Sequence, residues 1–146
     1  MNSGEFIEEA GASNFFAVFP NNTIVTPPLT DTILPGVTRN SIIELARSQC
    51  NCEVYERRLT IHDLKEVKEA FCCGTGASIT PVSRVSFLSE KNAKEPDFDI
   101  VFGDGKEPGM VTQQLYALLL AIQTGTDKSL SEKYSHWIHI VDPIDE

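Results

Sequence analysis

Residues 33–47 read ILPGVTRNSIIELAR, and in this stretch a Pro-Gly turn runs directly into a helical pattern. Apolar residues between 42 and 46 recur at helical spacing, which predicts a helix with Thr38 as its N-cap. A short turn and a cap suffice to begin a helix, so the Gly-Val-Thr sequence suggests that a ligand approaches the backbone here. Anions suit such a place, because the first N–H groups of a helix are unpaired and carry partial positive charge.

A second segment, GTGAS at residues 74–78, shares this composition. Its small residues let backbone N–H groups converge, and Thr75 supplies a hydroxyl, as Thr38 does in the first segment. Together the two segments could hold a phosphate, although neither is a Walker loop, because no Gly-Lys-Ser/Thr follows the glycines. The alternatives are a plain turn with an N-cap for the first segment and a tight turn at a strand end for the second.

Composition indicates a soluble globular chain. At 146 residues it is the size of one domain, and no apolar run approaches the roughly 20 residues that span a bilayer. The formal net charge of -9 argues against nucleic-acid binding, because contacts with phosphates need a basic surface.

Neither the cysteines nor the histidines have the spacing of a metal site, so no metal is predicted. The four thiols are interpreted as buried or simply reduced. These residues are Cys50, Cys52, Cys72, Cys73, His62, His136 and His139.

Hydrophobic patterns in the first half of the chain predict alternating strands and helices. A buried strand is predicted at 15–19, its hairpin partner at 23–26 and a half-exposed strand at 53–59. Thr60 and Asp63 resemble a capping arrangement for a helix over 61–70.

The second half of the chain continues this mixture. Residues 71–73 lead into the GTGAS segment, and 78–88 are predicted as a strand that Pro81 interrupts. A loop with at most one short strand is expected at 89–109, then a helix from residue 110 with Gly125 just past its end as the C-cap, and a last strand at 136–141. The fold class is therefore α+β, with mixed strands and helices packed on them.

The acidic pair Glu8 and Glu9 precedes the first buried strand. A carboxylate directed inward there would need a partner, because burying an unpaired charge costs several kcal/mol. By composition alone, a solvated pair is the favoured interpretation.

Several separated motifs, in order and spacing, resemble the C-terminal half of branched-chain amino acid aminotransferases, which are fold-type-IV enzymes that use pyridoxal phosphate. The likeness covers nearly the whole chain. It rests on EAGASN (9–14), TPPLTDTILPGVTR (26–39), ERRLT (56–60), GTGASITPV (74–82), GMVTQQLYALLLAIQTG (109–125) and Trp137.

The resemblance implies the large domain of the D-amino acid aminotransferase-like fold and a set of site residues. Glu9 would pair with the pyridine nitrogen of pyridoxal phosphate, and Leu34 would lie against the ring. The cofactor phosphate would be bound by Gly36, Val37, Thr38 and Thr75, and the substrate carboxylate by Gly76 and Ala77.

One departure concerns the catalytic lysine, which in the family lies before the E-x-G-x-x-N motif, on a stretch that would precede Met1. None of the seven lysines of this chain matches it, so no catalytic residue is assigned. We therefore expect residues 1–146 to be a single domain, the cofactor-binding half of an aminotransferase, without the small N-terminal domain and inactive alone.

By resemblance, the parent activity is amino transfer from leucine, isoleucine or valine to 2-oxoglutarate, with an amino acid and a 2-oxo acid as ligands and a homodimer as the assembly. A D-amino acid aminotransferase or aminodeoxychorismate lyase is an alternative within the same fold. A non-catalytic fragment that complements a full-length enzyme is another. The compartment stays open between cytoplasm and mitochondrion.

Overall fold

The computed structural model describes residues 6–87, 98–139 and 141. The strands in chain order are β1 (Phe6–Ile7), β2 (Glu9–Ala10), β3 (Ser13–Val18), β4 (Thr23–Thr26), β5 (Glu53–Glu56), β6 (Leu59–Thr60), β7 (Glu69–Gly74), β8 (Ser78–Val82), β9 (Arg84–Phe87) and β10 (Phe98–Val101). The helices are α1 (Val37–Gln49), α2 (Met110–Thr124) and α3 (Lys128–Lys133), with 3-10 turns at Asp63–Glu66 and Ser135–Trp137.

A mixed six-stranded sheet forms the centre of the fold. Its order is β5-β4-β3-β7-β8, and β2 pairs with the beginning of β3. Only β4 and β5 are parallel in this sheet, and α1 is the crossover between them, as a parallel pair requires. Two separate antiparallel pairs, β1 with β6 and β9 with β10, complete the described strands.

The central strand β3 is apolar from Phe15 to Val18 because both of its faces are covered there. Phe16 belongs to the core beneath α1 and α2, where its ring stacks on that of Phe71 at a centroid distance of 4.9 Å. Phe15 and Ala17 belong to a second core on the other face, which also contains Leu59 and Leu64. The predicted strand at 15–19 and its hairpin partner at 23–26 are confirmed, with β3 beginning two residues earlier.

The helix predicted from residue 110 with a glycine C-cap is also confirmed. It ends at Thr124, and the C-cap Gly125 has a left-handed φ of 67°. No helix in the described part of the chain is both long and apolar enough to cross a bilayer.

The helix predicted over 61–70 is wrong. Thr60 N–H and Oγ1 each donate to Asp63 Oδ2 at 2.7 Å, but the helical turn stops at Glu66. Residues 70–73 are buried in β7 between β3 and β8. The chain must therefore be extended there, and sheet pairing overrides the local helical signal.

Three other predictions need correction. The strand at 53–59 is divided into β5 and β6, and that at 78–88 into β8 and β9, which break at Ser83 rather than at Pro81. In place of a last strand at 136–141, a 3-10 turn packs Trp137 on Tyr134, with ring centroids 4.5 Å apart. The short strand allowed within 89–109 is β10, while residues 88–97 and Ile140 lie outside the described residues.

Candidate functional site

The sheet topology brings the predicted site segments to one end. Because β3 is antiparallel to both β4 and β7, the carboxyl ends of β4 and β7 lie beside the beginning of β3. The loop 27–36 leaves β4 at this end, and the turn 75–77 follows β7 at the same end. We call this region, with β2 beside it, the candidate site.

Glu9 and Asn14 hold the Leu34 backbone between them. The two residues are paired opposite each other in the β2–β3 hairpin. Glu9 Oε2 accepts a hydrogen bond from the N–H of Leu34 at 3.2 Å, and Asn14 Nδ2 donates to the Leu34 carbonyl oxygen at 2.9 Å. Asn14 Nδ2 also donates to Glu9 Oε2 at 3.5 Å, which closes the cycle.

The two residues of the acidic pair, Glu8 and Glu9, therefore have different environments. Glu8 is exposed, as the solvated interpretation predicts, and accepts a hydrogen bond from Thr32 Oγ1 at 3.0 Å. Glu9 is half-buried and directed at the Leu34 backbone, so that interpretation is wrong for this residue. Asn14, which sequence reasoning left without a role, is the buried partner that links Glu9 to the loop.

Gly36 is required by the same packing. Its N–H donates to the Leu34 carbonyl oxygen at 2.8 Å, and a Cβ at this position would collide with Asn14 Oδ1. Gly36 is also the N-cap of α1, without a side-chain cap. The prediction of Thr38 as N-cap is wrong, because α1 begins at Val37 and Thr38 lies within its first turn.

The N-terminus of α1 is a set of available donors. Within the described residues, the N–H groups of Val37 and Thr38 have no hydrogen-bond acceptor, and the first turn of α1 contains no acidic side chain. The adjacent apolar side chains are strongly exposed, Leu34 at 64% and Val37 at 78%. This combination suits an anionic ligand with an apolar body.

The buried side chain of Arg39 connects the first turn of α1 to the central sheet. Its side chain is 1% exposed, and Nη2 donates to the Pro27 carbonyl oxygen at 3.0 Å and to Glu56 Oε2 at 2.8 Å. A buried guanidinium needs such partners to offset its desolvation. The helix start is thereby tied to the ends of β4 and β5. Sequence reasoning gave this residue no role, although Arg39 is the last residue of the 26–39 motif on which the family resemblance rests.

The turn 75–77 lies at the same sheet end but belongs to a different hairpin. Thr75, Gly76 and Ala77 are all exposed, and the hairpin closes where Gly74 pairs with Ser78, whose φ is 50°. In the described part of the chain, no side-chain hydrogen bond joins this turn to Glu9 or Leu34. Glu9, Leu34 and the start of α1 are therefore in contact with one another, whereas the turn 75–77 lies at the same end of the sheet without a side-chain hydrogen bond, among the described residues, to Glu9 or Leu34.

Neither the cysteines nor Lys68 adds a nucleophile to this site. All four thiols are free, and burial, with neighbouring Cys72, raises the pKa of Cys73 to about 12. Burial likewise raises the pKa of Cys50 to about 11. Lys68 lies near the opposite end of the sheet, where it donates to Asn22 Oδ1 at 3.2 Å.

Comparisons with known proteins identify the family to which the chain is similar. The sequence model of the family amino-transferase class IV matches residues 1–85. Branched-chain-amino-acid aminotransferase 1, mitochondrial, of Arabidopsis thaliana is 44% identical over 124 residues, which cover 85% of this chain and 29% of that protein. The branched-chain-amino-acid aminotransferase of Helicobacter pylori is 40% identical over 84% of this chain and 33% of its own length.

Solved structures give the same assignment. The branched-chain amino acid aminotransferase from Escherichia coli superposes with a TM-score of 0.64 at 33% identity, over 81% of this chain and 35% of that one. The pyridoxal phosphate form of the enzyme from Thermobaculum terrenum gives 0.67 at 29% identity, over 88% and 38%. The chain thus spans about a third of the length of these relatives and shares the fold-type-IV architecture of their matched part. Because the family match extends over 85 of 146 residues and the fold agrees, the chain belongs to the class-IV aminotransferases.

Proposed function

We propose that this chain is the cofactor-binding part of a branched-chain amino acid aminotransferase, which uses pyridoxal phosphate to move the amino group of leucine, isoleucine or valine to 2-oxoglutarate. The observation that carries the proposal is the half-buried Glu9 carboxylate, held next to the uncapped start of α1 through the Leu34 backbone. The relatives and solved structures named above are branched-chain enzymes, which favours this activity over the D-amino acid aminotransferase and aminodeoxychorismate lyase alternatives.

The residues present fit the two charged parts of pyridoxal phosphate. A phosphate requires donors, and the unpaired N–H groups of Val37 and Thr38 supply them. A protonated pyridine nitrogen requires a carboxylate, and within the described residues Glu9 Oε1 accepts no hydrogen bond and is available. The exposed Leu34 side chain offers an apolar surface for the ring. Thr75 would add to the phosphate site, and Gly76 and Ala77 would bind the substrate carboxylate.

When bound, the cofactor supplies an electron sink that stabilises negative charge on the substrate carbon bearing the amino group. Glu9 holds a proton at the pyridine nitrogen, because a carboxylate beside that atom favours its charged form. The first turn of α1 binds and orients the phosphate, and Leu34 excludes water from one face of the ring. Proton transfer at the substrate carbon needs an amine base. None of the seven lysines matches the family's position for it, so amino transfer by residues 1–146 alone is expected to be undetectable.

A titration of the chain with pyridoxamine 5′-phosphate tests the proposal. This compound carries the phosphate and the pyridine but no aldehyde, so it cannot attach to surface lysines. We expect saturable binding that Glu9→Gln and Thr75→Ala each weaken by about tenfold, the value of one charge-assisted hydrogen bond. Glu8→Gln is the matched control, because Glu8 is exposed and should leave the affinity unchanged. Absence of saturable binding, or equal binding by the Glu8 and Glu9 variants, would contradict the proposed site.

A second candidate function is complementation of another chain of the same family. The exposed apolar side chains of Leu34 and Val37 at the candidate site favour it, since a covering chain would remove them from water. Light scattering of the purified chain tests the expected homodimer. Recovery of leucine transamination, after mixing with a lysine-containing partial chain of a branched-chain aminotransferase, tests complementation.

A further inference from the structure

We propose that Asn14 is a positioning residue that sets the Glu9 carboxylate and the 34–36 turn together, so that the pyridine-binding and phosphate-binding ends of the site move as one unit. The ligand chemistry in this inference rests on the proposed function. The positioning itself stands on contacts within the chain. A residue with this role acts through Glu9 and the turn and does not touch the ligand.

The contacts of Asn14 reach both ends. Nδ2 donates to the Leu34 carbonyl oxygen at 2.9 Å and to Glu9 Oε2 at 3.5 Å. Oδ1 lies against Gly36, so closely that no Cβ fits there. Glu9 Oε2 in turn receives the Leu34 N–H at 3.2 Å. Leu34 is thus held at its N–H by Glu9 and at its carbonyl by Asn14.

The orientation of the Asn14 amide is determined by its surroundings. The side chain belongs to a residue that is 5% exposed, where a polar group must find partners inside the protein. Rotating the amide by half a turn would direct Oδ1 at the Leu34 carbonyl and at Glu9 Oε2, which are both acceptors. Nδ2 therefore faces Leu34 and Glu9, and Oδ1 faces Gly36.

Asparagine satisfies these contacts in a way that its near relatives cannot. Aspartate has the same shape but no donor, and its charge would face the Glu9 carboxylate. Alanine would leave the Leu34 carbonyl without its side-chain donor. Glutamine is one methylene longer and would not fit against Gly36. The strand register adds to this restriction, because Asn14 is paired with Glu9 on one side and with Cys73 on the other.

Amide hydrogen exchange of the chain without ligand tests the positioning directly. In Asn14→Asp and Asn14→Ala, the Leu34 and Gly36 amides should exchange at least about tenfold faster than in the unchanged chain, because the contacts that order the turn are lost. The Phe19 amide, bonded to the Thr23 carbonyl at 2.8 Å at the far end of β3, is the internal control and should not change. Ser13→Ala, one position away, is the matched control variant. Unchanged Leu34 exchange in both Asn14 variants would overturn the inference.

Pyridoxamine 5′-phosphate affinity supplies a readout that a merely structural role would not move. Glu9→Gln should cost about tenfold in the unchanged chain but less than about threefold in Asn14→Asp, because Glu9 is already misplaced there. Thr75→Ala belongs to the other turn and should cost the same in both backgrounds. Equal costs of Glu9→Gln in the two backgrounds would overturn the coupling.

The outcomes separate the two proposals. If the unchanged chain does not bind pyridoxamine 5′-phosphate, the proposed function fails, while the Leu34 exchange rate still decides the role of Asn14. If circular dichroism shows that both Asn14 variants are unfolded, the role of Asn14 is tested in the unchanged chain instead. Its Asn14 side-chain amide should then exchange at least about tenfold more slowly than that of the exposed Asn40, and equal rates would overturn the inference.

Discussion

Glu69, at the first position of β7, accepts hydrogen bonds from both the backbone N–H and the hydroxyl of Thr112, each at 3.0 Å. A carboxylate from the sheet thereby caps the N-terminus of α2, whose own N-cap, Gly109, has no side chain to offer. Since Glu69 is 7% exposed, this contact also closes the core at the end of the sheet opposite the candidate site.

Replacing Glu69 should destabilise the whole domain. Glu69→Ala leaves the first-turn donors of α2 without their acceptor and opens a cavity, so we expect a loss of about 2 to 4 kcal/mol in the free energy of unfolding. Glu69→Gln keeps the volume and should lose about 1 to 2 kcal/mol. Urea denaturation measures both. Glu66→Gln is an exposed neighbouring control that should be neutral, and an equal effect of this control would show that the cap is unimportant.

A methyl group at Gly36 should be poorly tolerated. It would collide with Asn14 Oδ1, so we expect Gly36→Ala to lower the free energy of unfolding by about 1 to 3 kcal/mol and to speed exchange of the Leu34 amide. Gly76→Ala is the matched control, because nothing lies within 4 Å of the added Cβ and its φ is not left-handed. Similar thermal stability of the two variants would contradict the packing described here.

The two partners of the Arg39–Glu56 ion pair should contribute unequally to stability. Arg39 is 1% exposed and also binds the Pro27 carbonyl, whereas the Glu56 side chain is 41% exposed and can be solvated. Arg39→Met should therefore cost about 2 to 4 kcal/mol of stability and Glu56→Gln no more than about 1 kcal/mol. Chemical denaturation of the two variants, with the exposed Arg47→Met as control, decides this. Equal losses would mean that the pair, rather than the burial of Arg39, governs the helix start.

Asp63 should give the stability a dependence on acidic pH. Burial alone would raise its pKa, but hydrogen bonds from Thr60 and the charge of Arg57 outweigh burial and lower the pKa below 3.8. A carboxyl group whose pKa is lower in the folded chain stabilises the fold when the pH is above its pKa in the unfolded chain. That stabilisation is lost as the pH falls through its pKa in the folded chain. The stability difference between the unchanged chain and Asp63→Asn, about 1 kcal/mol at pH 7, should accordingly shrink below about pH 3.8. Thermal unfolding from pH 7 to pH 2.5 measures this, and a constant difference would contradict it.

Much of the fold could be predicted because its signals are local. The apolar run of β3 and the helical spacing of α2, with Gly125 after it, need only their own residues for recognition. Long-range competition explains the failures. Residues 61–70 carry a real Thr60–Asp63 capping pair, but the burial of 70–73 in the sheet ends the helical turn at Glu66. The apolar pattern of residues 136–141 predicts a strand, but Trp137 packs on Tyr134 and lies in a 3-10 turn instead.

The sequence by itself determined which chemical groups are candidates for binding a ligand: the Glu9 carboxylate, the Pro-Gly turn before α1 and the Gly-Thr turn after β7. Only the tertiary structure decided how these groups are held. The antiparallel register of β2 and β3 puts Asn14 opposite Glu9. The loop after β4 then brings the backbone of Leu34 and Gly36, which follow Asn14 by 20 and 22 residues in the sequence, against the side chains of this pair. The physical reason is that a buried amide and a carboxylate form hydrogen bonds with the polar groups that folding brings within reach, and spacing along the sequence does not specify these groups.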